Sequence, residues 1–280
     1  MLLVTGMLLL AGCGTHPALS RAVQPTQTGA PSLAPRQTWT MTASPSLAAH
    51  TPTSPPSETA TPALSLCSPL EGITLAELGQ PDLLKNPYQT PHPGMDDGHH
   101  GDDFAFWSRG SYKTMLGLPV HAVLAGQVAA VIANREPYGN AVMIETPLQA
   151  LPQAWLEALP IPSPAPTIQP APNLLCPADP VNYQTRPGRS LYLLYAHLEQ
   201  TPNLATGDAV ACGQTIGEVG TTGKSVNPHL HLETRVGPSG ATFKSMSHYD
   251  TSSSETEMAA YCTWRVSGLF QMFDPMQLLK

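Results

Sequence analysis

The chain has 280 residues, enough for one large or two small domains, and its 31 prolines against 12% charged residues imply that part of it is not packed core. A formal charge of -7, with 13 lysines and arginines in all, leaves no basic stripe to neutralise a phosphate backbone, which argues against nucleic acid as a partner. One folded domain behind a tail is the expected organisation.

Residues 1–13 read as a lipoprotein-type signal segment. Their apolar run through Leu8, Leu9 and Leu10 is too short to span a bilayer and is followed by small residues before Cys13. The tetrad Leu10, Ala11, Gly12, Cys13 resembles the bacterial lipobox, which implies cleavage, a lipidated Cys13 and attachment to a membrane. No Lys or Arg precedes the apolar run, a departure from the usual export signal. Residues 14–66 are Pro, Ser, Thr and Ala without apolar period, and predict a disordered tether. Its reach lies between roughly 40 Å as a coil and about 160 Å if polyproline-like. His16 and His50 fall in it and are expected to be solvated.

The folded part is expected over 67–280. Residues 67–98 have short apolar patches cut by Gly and Pro, as in a wrapping extension. HHGDDFAFW (99–107) predicts a short strand, residues 120–135 one or two strands with Gly126 as turn or bulge, and residues 138–146 another. Between 147 and 189 the prolines of LPIPSPAPTIQPAP exclude a central strand, leaving a long surface loop. Strand character resumes at 190–200, the glycines of 207–225 space tight turns, and NPHLHLET (227–234) alternates as a half-buried strand does. In the C-terminal extension, 237–280, the acidic start and apolar spacing of residues 254–266 predict one short helix. Many short strands with glycine-rich turns mean a mostly antiparallel β fold.

If Cys13 takes lipid, four cysteines remain, which suggests two disulfides in an oxidising compartment. The expected pairs are Cys67 with Cys262 and Cys176 with Cys212. No two are spaced as C-x-x-C zinc ligands.

The chemistry gathers on histidines. His229 and His231, two apart in a strand, leave one face. In HHGDD the same parity sends His99 and Asp103 to one face with Gly101 leaving room between them, and turns His100 and Asp102 the other way, to solvent or structure. His99, Asp103 and His231 make two imidazoles and one carboxylate, three ligands that leave zinc an open position for water. Something must then accept the water's proton and steady the oxyanion, and with no HExxH glutamate in the chain the candidates are His229 and His197. His229 is assigned to proton transfer and His197 to the oxyanion, although exchanged roles fit the sequence equally well. His121 and His248 read as structural or surface residues, and His92, Asp96 and Asp97 as a loop near the mouth of the site.

In order along the chain, HHGDDFAF, GLPVHAVLAGQV, YGNAVMI, YAHL, GDAVACGQTIGEVGTTGKS and PHLHLE resemble the lysostaphin and LytM-type zinc endopeptidases over about residues 99 to 236. The resemblance implies a β-sandwich-like domain whose large sheet floors a groove, zinc held by His99, Asp103 and His231, catalytic His197 and His229, and peptidoglycan peptides as substrate. The expectation is a lipid-anchored, extracytoplasmic zinc endopeptidase of the cell envelope. The rivals are a non-catalytic wall-binding or amidase-regulating module of the same fold, and a sugar-phosphotransfer carrier, which conflicts with the export signal and the cysteines. The long loop and the residues after 236 lie outside the resemblance.

Overall fold

The computed structural model describes residues 64–280; the expected signal segment with Cys13, and the tether up to residue 63, lie outside the described residues. In chain order the elements are α1 (Leu75–Leu78), β1 (Leu84–Asn86), β2 (Asp102–Phe104), β3 (Pro119–His121), β4 (Gly126–Arg135), β5 (Gly139–Pro147), α2 (Gln153–Ala158), β6 (Arg189–Leu198), β7 (Ala209–Val210), β8 (Thr215–Glu218), β9 (Leu230–Pro238), α3 (Glu255–Arg265) and β10 (Gln271–Phe273). One antiparallel sheet runs β1-β2-β9-β6-β5-β4-β7, with β10 sharing the β2 edge of β9, and β3 pairs β8 in a second, two-stranded sheet. The mostly antiparallel β architecture agrees with the sequence reading.

The central strands are apolar on both faces because both are covered. Along β5 and β6 every position but one terminal residue is buried, so the alternation of a half-wet strand is replaced by a continuous run. Val142, Ile144, Leu191, Leu193 and Tyr195 face a core completed by Leu70, Leu118 and Val120, from the N-terminal extension and the small sheet. Ala141, Met143, Tyr192 and Leu194 face a second core closed by Phe243, Trp264 and Phe270 from the C-terminal extension. Each fully buried side chain of this size contributes about 1.5–3 kcal/mol.

Several expectations are refined. The strand foreseen over 99–107 is confined to Asp102–Phe104. Residues 120–135 do divide at Gly126, where a Cβ would strike the Glu145 carbonyl oxygen and lie 2.9 Å from Ile144 Cγ2. The foreseen C-terminal helix is α3, opened by Ser254, whose hydroxyl accepts from the Glu257 amide while the Glu257 carboxylate accepts from the Ser254 amide. The short helices α1 and α2 and the strands β1 and β10 were not foreseen, being too brief to show a period.

The loop after β5 has no strand, as its prolines require, but it is anchored. The Ile168 amide donates to the Ser267 carbonyl, the Ala171 amide to the Gly94 carbonyl, and the Thr263 hydroxyl to Asp179. The expected disulfide pairing is corrected: Cys67 joins Cys212 and Cys176 joins Cys262. The extension before β1 packs beside the small sheet, where the Cys67 amide donates to the Val123 carbonyl, and so reaches the turn before β8 rather than α3. That leaves Cys262 for the long loop. Peptide mapping without reductant should recover these two linked pairs, and replacing both Cys67 and Cys212 by Ser should lower stability by about 2–4 kcal/mol in a denaturant titration. Recovery of Cys67 linked to Cys262 would overturn this pairing.

Candidate active site

Strand register brings the separated motifs together. Asp103 on β2 stands directly opposite His231 on β9, and Ala196 of β6 stands opposite His231 on the other side. Gly101 permits the approach: a Cβ there would be driven into the Leu232 carbonyl and would sit 3.1 Å from His231 Cε1. His99 arrives by another route than the strand parity expected of it. It precedes β2 and is held by a bridge to Gln89, with Nδ1 3.2 Å from the Pro87 carbonyl oxygen.

Around Asp103 the donor atoms converge. Asp103 Oδ1 lies 2.7 Å from His231 Nδ1 and 3.2 Å from His99 Nε2, and the three ligand atoms all lie within 4.8 Å of one another. The opposite nitrogen of each ring has its own acceptor, Pro87 O for His99 and Glu233 Oε1, at 3.2 Å, for His231. Those acceptors fix the tautomers so that each imidazole turns a lone pair toward the carboxylate. Lone pairs facing a carboxylate at these distances repel unless a proton or a cation sits between them. Without a metal the proton does so: burial would lower the His231 pKa, but hydrogen bonds to Asp103 and Glu233 outweigh it and raise the value from 6.5 to about 9. Burial likewise opposes ionisation of Asp103, and the His231 and His99 hydrogen bonds reverse this, holding it far below the usual carboxylate range. The donor set and its tautomers fit a divalent ion such as zinc.

His197 and His229 stand beside this cluster, with ring centroids 4.6 Å apart and His197 5.8 Å from His231. His197, next to last in β6, has a left-handed conformation, φ 61°, where the β5 register shifts. The irregularity breaks the strand's alternation, which would otherwise set neighbouring Ala196 and His197 on opposite faces. His197 Nδ1 donates to the Thr222 carbonyl at 2.8 Å and His229 Nδ1 to the Asn227 carbonyl at 2.8 Å, an arrangement that turns each Nε2 away from these carbonyls. Burial, then the neighbouring His231 and His229, push the His197 pKa down to about 3, and it rests neutral.

Behind His231 lies a buried network that the sequence reading missed. Glu233 is fully buried; its Oε1 takes His231 Nε2, Arg265 Nη1 at 3.0 Å and the Tyr138 hydroxyl at 3.0 Å, and its Oε2 takes Arg235 and Trp264 Nε1. Asp96 receives Arg265 Nε at 2.8 Å and the Tyr249 and Tyr261 hydroxyls, and burial is outweighed by Arg265 so that its pKa falls to about 2. The solvent-facing alternative for His100 and Asp102 is overturned, since both are buried. His100 Nδ1 accepts from Arg235 at 2.8 Å and its Nε2 faces the Asp97 carbonyl. Burial, then Arg265 and Arg235, lower its pKa to about 2. Glu233 shares His231's strand parity, a signal present in the sequence. Arg265, from α3, gave none.

The groove over these residues holds about 540 Å³ and is walled by Asp96, Tyr138, Lys224, Asn227, Tyr249 and Arg265. No residue between 148 and 188 lines it, so the long loop neither walls nor covers the site directly. His92 pairs with Asp97 at the surface, His121 with Glu71, and His248 stacks on Tyr261, as structural or surface roles require. Cys176 and Cys262 approach His248, but their disulfide removes the thiolates a metal would need.

Residues 183–243 match the sequence model of peptidase family M23, the family of the lysostaphin and LytM-type resemblance. The match includes His197, His229 and His231 and stops short of His99 and Asp103. Among solved structures the chain is similar to a zinc-containing peptidase from Vibrio cholerae, with 22% identity over 54% of this chain and 32% of that one, TM-score 0.30. It is also similar to the catalytic domain of the antimicrobial peptidase lysostaphin from Staphylococcus simulans, with 20% identity over 70% and 92%, TM-score 0.33. A variant catalytic domain of a prophage-encoded M23 protein from Enterococcus faecalis gives 20% identity over 62% and 95%, TM-score 0.32. The chain thus spans about a third of the Vibrio peptidase. Likenesses of this size add nothing to what the strand pairing already gives.

The buried network predicts a pH dependence. Below the ordinary value of 6.5 the unfolded chain protonates His100 and the folded chain does not, down to about 2, so stability falls with pH over that window by about 1.4 kcal/mol per unit. His231 has the opposite sign, with its contribution complete below 6.5 and lost as pH rises through about 9, so it does not offset the fall. Urea titrations of metal-free protein at pH 6.5 and 5.0 should show this drop, and His100→Gln should lessen it while leaving the part that His197, held neutral down to about 3, contributes with the same sign. Glu233→Ala, which leaves Arg235 and Arg265 without their shared carboxylate, should cost about 3–5 kcal/mol, and a loss below about 1 would show that the network contributes little.

Proposed function

We propose that the protein is a zinc-dependent endopeptidase that hydrolyses amide bonds in peptidoglycan peptides, with the ion held by His99, Asp103 and His231. The supporting observation is the convergence of His99 Nε2, Asp103 Oδ1 and His231 Nδ1, each ring having its other nitrogen engaged elsewhere. A zinc ion there supplies Lewis acidity, which polarises a carbonyl and makes water a nucleophile near neutral pH.

The chain's own residues manage the proton. As water adds to the scissile carbonyl carbon, its proton passes to a bare imidazole Nε2, and His229 is the assigned acceptor. The ring so charged becomes a donor and returns the proton to the departing amine as the C–N bond breaks. His197 rests neutral with Nε2 bare, so it presents a second acceptor to the attacking water, and the oxyanion role assigned to it opens only where it, in place of His229, takes the water's proton. Burial of His197, His229 and His231 limits competing water around these nitrogens.

The match to family M23 supports a wall peptide as substrate. Among the described residues no helix is long and apolar enough to cross a membrane, and the proposed attachment is through lipid on Cys13, ahead of the tether. The two disulfides accord with an extracytoplasmic position.

His231→Ala should abolish both zinc retention and release of amines from purified sacculi, whereas His229→Ala should keep zinc and lose turnover by about 100-fold or more. Normal cutting by the His229→Ala protein would refute its role. Wild-type protein that binds sacculi but releases no amine when zinc-loaded would favour the non-catalytic module.

A further inference from the structure

The groove does not end at the cluster. Past Asp103 the chain runs through Phe104 and Ala105 to Trp107, at most about 13 Å away at strand spacing. A second hollow of about 230 Å³ lies there, and it shares Lys85, Ala105 and Asn227 with the groove over His231, so the two are neighbours. Its far side is formed by Trp107, Thr114 and Pro228.

Trp107 is 76% exposed, whereas Trp264 is fully buried. The indole is not on a loose tip. Phe104 and Phe106, just before it, are buried in the core, and Arg109, just after it, pairs with Tyr112 across a backbone bridge. Arg109 is itself clamped to Glu77 at 2.6 Å and Asp82 at 2.9 Å. An exposed indole on a backbone fixed at both sides offers a large flat contact surface whose backbone ordering cost is already met on folding. The polar groups beside it keep capacity: Lys85 Nζ donates to the Pro81 carbonyl, which leaves two protons, and Thr114 Oγ1 accepts from the Leu116 amide, which leaves its own proton. The Asn227 amide reaches the Pro228 carbonyl through Nδ2, and its Oδ1 faces no donor among the described residues.

We propose that Trp107 is the platform of a saccharide subsite, on which a pyranose ring of the glycan attached to the substrate peptide lays its apolar face. Its hydroxyl and acetamido groups meet Lys85, Thr114 and Asn227. A flat apolar surface rimmed by an ammonium, a hydroxyl and an amide complements a ring that is apolar on its face and polar at its edge. The subsite rests on the peptidase reading of the adjoining groove.

The test uses the zinc-loaded full chain and two substrates of identical peptide sequence, one carrying its disaccharide and one with the sugar removed. Trp107→Ala should raise KM on the glycan-bearing substrate about tenfold while kcat changes less than twofold, and should shift KM on the sugar-free peptide less than twofold. Unaltered KM on the glycan-bearing substrate, or an equal rise on both, overturns the saccharide assignment, and the equal rise assigns the platform to peptide. A melting curve within a few degrees of wild type shows that the exposed indole was not needed for folding. Dissociation constants of both compounds are also measured in the His229→Ala background with and without Trp107→Ala, where the same tenfold selective loss is expected. The binding arm decides the subsite even if the wild-type chain cuts neither compound, a result that would sink the peptidase reading alone.

Discussion

Glu233 is the group on which the site depends. It is a buried carboxylate that orients His231 from behind and is itself neutralised by Arg235 and Arg265. A carboxylate in that position is costly unless compensated, and two guanidiniums, an indole N–H and a phenol compensate it. Burial would push its pKa up, but Arg235 and Arg265 hold it well below the usual range, so it stays an acceptor and keeps the His231 proton on Nε2. The tautomer of one ring is thus set by a chain of contacts reaching into the C-terminal extension.

That dependence explains why the extension is integral to the molecule. Phe243, Trp264 and Phe270 close one face of the large sheet, and the same packing delivers Arg265 to Glu233 and Asp96. Stability and site geometry are therefore two effects of one buried surface. The opposite face is closed by the small sheet and the segment before β1, so the central strands have no wet side.

The sequence made the chemistry more legible than its supports. Period-two reading sent Asp103 and His99 to one face of their strand and His229 and His231 to one face of theirs, and the register sets Asp103 opposite His231. It reached His99 by the wrong route, because a bridge to Gln89 rather than strand alternation presents that ring. It erred in allowing His100 and Asp102 a solvent face, since parity says which side a residue leaves and not what covers that side. Glu233 was within reach of the same parity, but Arg265 and Asp96 act from distant segments with no local period. The disulfides failed for a related reason: pairing depends on which loops dock together, and spacing along the chain carries no record of it.

The long insertion leaves β5 at Pro147 and re-enters β6 at Arg189, while His197 stands at the other end of β6. Eight residues of strand separate root from ring, about 26 Å. A segment rooted so far off bears on the cluster of His99, Asp103 and His231 only through its anchors, the Ala171 amide on the Gly94 carbonyl and the Cys176–Cys262 and Asp179–Thr263 links to α3.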